Sequence, residues 1–168
     1  MTSKELLKYI LREVYGVEPN FHYYSLKEGD LPANPKALLA IGDDALKFLH
    51  SKRFPFVYDL AEEWFNITGL PFVFALWAVR RDSYQEKREE VLDFYERLKK
   101  SREIGENSFN EICSEYSKRL KLSEGLCRKY LETLNFHLGE EELQALREFA
   151  KRIGRDFKPK FIEAEASA

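Results

Sequence analysis

The chain has 168 residues, 44% of them hydrophobic and 14% aromatic, enough apolar material to bury a core and too much for an intrinsically disordered chain. Lys and Arg number 27 against 29 Asp and Glu, a formal charge of −2, so no global field draws the protein to nucleic acid or to an anionic membrane. The first residues lack the basic start and apolar stretch of a secretory signal, and the longest apolar run, Gly69 to Val79, is about half a bilayer span, which makes the cytoplasm the expected compartment.

Thr2 to Tyr15 reads as a helix. Thr2 and Glu5 have the spacing of a capping box, Leu6, Leu7, Ile10, Leu11 and Val14 recur at helical intervals, and Gly16 is the expected stop. Phe21 to Ser25, aromatic-rich after Pro19-Asn20, suits a strand, and Leu26 to Pro35, with Gly29, Pro32 and Pro35, suits a loop. Ala37 to Ile41 is a short continuous apolar run of the kind buried on both faces of a parallel sheet. Gly42-Asp43-Asp44 turns it into a helix that runs through His50.

Phe56 to Asp59 then reads as a strand, Leu60 to Ile67 as a helix and Phe72 to Arg80 as a long strand. This alternation predicts right-handed crossovers and a mainly parallel sheet. From Ser83 the pattern becomes helical throughout, in four segments: Ser83 to Arg102, Ser108 to Leu120, Ser123 to Leu134 and Gly139 to Ile153. Arg155 to Ala168 is polar and predicted to fray. The expectation is thus an α/β protein, with an α/β lobe over 1–80, a helical segment over 81–154 and a tail over 155–168.

The residues that could carry chemistry cluster at element ends. At Gly42-Asp43-Asp44 a strand's carboxyl end meets the free amides of a helix start, a place suited to a carboxylate or phosphate. Asp at a helix start is equally an N-cap. Thr2-Ser3 offers two hydroxyls and free amides at another helix start, with capping as the competing reading. Asp59 is either an acid or base at a strand end or the cap of the next helix, and Thr68-Gly69 leads into the following strand as a turn or hinge. His22, His50 and His137 have no companion at metal-ligand spacing. Cys113 and Cys127 match neither a metal site nor a disulfide framework and read as packing residues.

Three stretches, in this order and spacing, carry a resemblance: Leu39-Ala-Ile-Gly-Asp-Asp-Ala-Leu46, Tyr58-Asp-Leu-Ala-Glu-Glu-Trp64 and Thr68-Gly-Leu-Pro-Phe-Val-Phe-Ala-Leu-Trp-Ala78. Together they resemble the MqnA-type chorismate dehydratases of the MqnA/MqnD menaquinone-biosynthesis family, and the resemblance extends more weakly to about Ile153. It implies the two-lobed fold of type II periplasmic binding proteins, here one α/β lobe plus the helical C-terminal portion of the other. It also implies dehydration of chorismate to 3-[(1-carboxyvinyl)oxy]benzoate in the futalosine route, without metal or organic cofactor.

The Thr2-Ser3 helix start aligns with one that lies well inside members of that family, so the resemblance implies that an N-terminal part of the fold is absent. An apolar helical face would then be covered by a second copy or by a partner chain. The candidate substrate-binding residues are Thr2, Ser3, Gly42, Asp43, Asp44, Asp59, Thr68 and Gly69, and the substrate is a dicarboxylate; no residue stands out as acid or base. A non-catalytic module that binds a small carboxylate, and an interaction fragment that docks through its helices, are the alternatives.

Overall fold

The structure, a computed structural model, describes residues 2–24 and 36–162. Among these residues it is all helical, with no strand and no sheet. The helices are α1 (Thr2–Glu13), α2 (Gly42–Ser51), α3 (Leu60–Thr68), α4 (Arg81–Glu86), α5 (Arg88–Asn107), α6 (Phe109–Leu120), α7 (Glu124–Glu132) and α8 (Glu140–Arg152).

The expected α/β, periplasmic-binding-protein-like architecture is therefore overturned. The segments read as strands, at 21–24, 37–41, 56–59 and 72–80, run without regular secondary structure. The physical reason is that a strand exists only through the ladder it forms with a neighbour, whereas an apolar run reports only a tendency to be buried. That burial does not follow uniformly either: Phe56 is 77% and Trp77 78% exposed. Ser25 and the predicted loop over Leu26 to Pro35 lie outside the described residues, as does the end of the tail from 163 onward.

The helical expectations fare differently. α1, α2, α3, α6, α7 and α8 fall where helical periodicity places them. The single helix expected over Ser83 to Arg102 is two, parted at Lys87, whose backbone leaves the helical region (φ −131°, ψ 41°). α5 buries none of its 20 residues. It is laced instead by pairs such as Asp93–Arg97 at 2.9 Å, Glu96–Lys99 at 2.8 Å and Arg102–Glu106 at 2.8 Å, which each support a solvated helix by about 0.2–0.5 kcal/mol.

The chain forms two compact units, one drawn from Met1–Leu39, Phe56–Ala75 and His137–Ala168, the other from Ala40–Pro55 and Leu76–Phe136. In the first, α1, α3 and α8 surround Trp64. Leu6, Ile10, Trp64 and Phe149 are the buried cluster, with Tyr9, Leu60, Ile67, Phe72 and Ile153 packed against it. Trp64 is fully buried, and its ring meets those of Tyr9, Phe72 and Phe149 edge-on at centroid distances of 6.1, 5.6 and 5.7 Å. Its indole N–H donates to the Pro71 carbonyl at 3.2 Å, so the one polar atom of the ring is satisfied.

In the second unit α6 packs against α7. Cys113, Ser117, Leu120 and Cys127 are buried there, the two cysteines as free thiols, in the packing role their spacing suggests.

Replacement of Trp64 by Ala should cost about 3–5 kcal/mol through lost burial and a residual cavity. Trp77→Ala, at an exposed position, should cost less than about 0.5 kcal/mol. Denaturant unfolding followed by circular dichroism measures both, and equal losses would refute the assignment of Trp64 as the centre of the first unit.

Candidate functional site

Each sequence-predicted residue sits at a helix end, where backbone polar groups have no helical partner. Thr2 and Ser3 open α1 and are half-buried. The capping-box expectation is not realised: Thr2 is already helical, and the Glu5 carboxylate accepts from Lys8 Nζ at 3.2 Å instead. Neither hydroxyl makes a hydrogen bond to a described residue, which leaves both, with the first amides of α1, available to an acceptor.

Asp59 is the N-cap of α3. Its Oδ1 accepts from the amides of Ala61 at 2.8 Å and Glu62 at 3.4 Å, which is the capping reading in atomic form. At the other end of α3 the Thr68 hydroxyl donates to the Trp64 carbonyl at 2.8 Å and accepts from the Leu70 amide at 3.2 Å. Gly69 follows in the left-handed region (φ 69°) and returns its N–H to the Phe65 carbonyl at 2.7 Å, a conformation that favours glycine and ends the helix. Thr2, Ser3, Asp59, Thr68 and Gly69 all belong to the first unit.

Gly42, Asp43 and Asp44 belong to the second unit. Gly42 begins α2 with φ 59°. A Cβ built there would meet nothing within 4 Å, so the demand for glycine is conformational rather than steric. No side chain caps α2. Asp43 turns instead toward α6: the Tyr116 hydroxyl donates to its Oδ1 at 2.7 Å, and Arg119 Nη2 lies 3.6 Å from Oδ2. Asp44 is half-buried, with no side-chain bond to a described residue.

Tyr116 stacks on Tyr130 at 6.3 Å and carries the Arg119 guanidinium 5.1 Å from its ring centroid. Burial, and then its bond to the Asp43 carboxylate, push the Tyr116 phenol well above its ordinary value of 10.0. Burial likewise raises the Cys127 thiol, with smaller contributions from Cys113 and Glu124.

Tyr116 and Arg119 escaped the sequence reading because the contact spans 73 residues of chain. Their spacing of three on one helix face was legible, but no local signal names Asp43 as the acceptor. Among the described residues no group of three His, Cys, Asp or Glu could hold a metal, and no helix is long and apolar enough to cross a membrane.

Comparison with known proteins relates the chain to a family and to a curated relative. A family model described as menaquinone biosynthesis matches residues 1–155. A chorismate dehydratase of Thermus thermophilus is 32% identical over 177 aligned residues, covering 95% of this chain and 62% of that protein. The chain thus spans less than two thirds of that relative's length.

Tyr116→Phe should loosen the tie between α2 and α6 by about 1 kcal/mol, the usual net worth of one hydrogen bond. Because the folded state raises the phenol, its contribution to stability is complete below pH 10.0, the ordinary value, and is lost as pH climbs toward the raised one. Wild-type protein should therefore lose stability above about pH 10 and Tyr116→Phe should lose less. Denaturation midpoints between neutral and strongly alkaline pH measure this, and parallel curves would remove Tyr116 as the cause.

Proposed function

The chain belongs to the menaquinone-biosynthesis family, and from that premise we propose that it is a chorismate dehydratase or the C-terminal portion of one. The reaction eliminates water from chorismate to give 3-[(1-carboxyvinyl)oxy]benzoate, in the cytoplasm, with no cofactor. The observation that carries the reading is the family match over residues 1–155 together with the extended identity to a chorismate dehydratase.

The chemistry of the candidate residues supports it. Chorismate bears two carboxylates, and helix-start amides and hydroxyls are the donors that a carboxylate seeks. In the first unit those donors are Thr2, Ser3 and the opening amides of α1. In the second they are the opening amides of α2 at Gly42, Asp43 and Asp44, with the Asp43 carboxylate drawn toward Tyr116 and Arg119. We assign Asp59, Thr68 and Gly69 to the substrate-binding residues of the first unit through the ends of α3, which they fix. Elimination further requires a proton acceptor for a ring C–H and a donor for the departing hydroxyl.

Incubation of the chain with chorismate, followed by mass spectrometry, should show a product lighter by one water. Thr2→Val with Ser3→Ala should raise KM by roughly tenfold or more, since each hydrogen bond to a charged group contributes about 1.5–3 kcal/mol. Saturable binding of chorismate without product would move the assignment to a carboxylate-binding module. Absence of both, in this chain and in a version extended to the relative's full length, would reject it.

A further inference from the structure

Several cations on the helix faces of this protein are answered by acids three or four residues away, as at Lys8–Glu5, Lys118–Glu115, Arg128–Glu124 and Arg152–Glu148. The end of α8 gathers three cations without such an answer. Arg147, Lys151 and Arg155 follow one another at intervals of four, and the acid three residues before Lys151, Glu148, is held by Arg152. None forms an ion pair with a described residue. Arg147 and Lys151, four apart on α8, repel.

The two nearest acids are already engaged. Glu148 accepts from Arg152 at 2.6 Å, and Asp156 from Lys158 at 2.7 Å. The helix does not need the three cations as caps either. Gly154, with φ 68°, lets the chain reverse so that its own N–H reaches the Lys151 carbonyl at 3.1 Å and the Arg155 N–H reaches the Ala150 carbonyl at 2.7 Å. That turn brings Arg155 back beside α8. The three cations, with Gly154, Asp156 and Phe157, line an open hollow of about 470 Å³. Phe157 supplies a half-buried apolar wall.

We propose that this hollow binds a small ligand bearing two or more anionic groups, phosphate or carboxylate, bridged by Arg147, Lys151 and Arg155. An anion of one charge would leave the repulsion only partly relieved, whereas two groups let each be shared between neighbouring cations, with the arginines offering planar forks. The site shares no residue with the proposed substrate contacts, and neither the family match nor the relative assigns it a role.

Calorimetric titrations with sodium pyrophosphate and with sodium citrate, at ionic strength held constant with sodium chloride, test the proposal. Saturable one-to-one binding of at least one probe is expected. Arg147→Gln and Lys151→Gln should each weaken it about tenfold or more, while Arg81→Gln, which removes the same charge elsewhere, should leave it unchanged. Binding of pyrophosphate alone assigns phosphate as the ligand chemistry, binding of citrate alone carboxylate. No saturable heat from either probe, or equal weakening by Arg81→Gln, would overturn the site in favour of diffuse charge attraction.

Discussion

The indole of Trp64 is the constraint on which the first unit depends. α1, α3 and α8 come from the beginning, middle and end of the chain, and no sheet among the described residues holds them in register. What they share is one fully buried ring, reached edge-on by Tyr9 from α1, Phe149 from α8 and Phe72 from the segment after α3. Such pairs add about 0.5–1.5 kcal/mol each beyond burial. The Arg152 guanidinium lies 5.7 Å from the same ring, bonds to the Tyr9 hydroxyl and is held by Glu148, so a polar clamp joins α8 to α1 over the aromatic cluster.

That arrangement also fixes the candidate residues of the unit. The Trp64 carbonyl accepts from Thr68 and its indole N–H reaches Pro71, so the ring and the closing turn of α3 are set together. Leu6 and Ile10 put the buried stripe of α1 on the same cluster, and the roll of α1 that results decides where Thr2 and Ser3 lie. The second unit has no comparable ring. There the Asp43–Tyr116 bond is the non-local tie, and the stacking of Tyr116 on Tyr130 makes the donor a rigid one.

What the sequence disclosed follows from the range of the forces involved. Helices were legible because the periodicity that buries Leu6 and Ile10, or Leu143 and Phe149, is local. The ends of α3 were legible for the same reason, since Asp59 bonds two and three residues ahead and Gly69 four behind. The sheet was misread because Ala37 to Ile41 and Phe72 to Arg80 have the composition of buried strands, while strand pairing depends on a neighbour that composition does not specify. Tyr116, Arg119 and Arg152 were not identified because their partners lie far along the chain, at Asp43 and Tyr9.

The internal bonds also divide labour among the candidate residues. Asp59 Oδ1 is engaged by the amides of Ala61 and Glu62, and the Asp43 carboxylate by the Tyr116 hydroxyl and, at 3.6 Å, by Arg119. Both carboxylates therefore act as acceptors within the fold, Asp59 at the start of α3 and Asp43 between α2 and α6. The hydroxyls of Thr2 and Ser3 make no such bond to a described residue, and no side chain caps the amides at the start of α2. For the elimination proposed above, recognition of the carboxylates thus falls to neutral donors, which bind charge without themselves titrating.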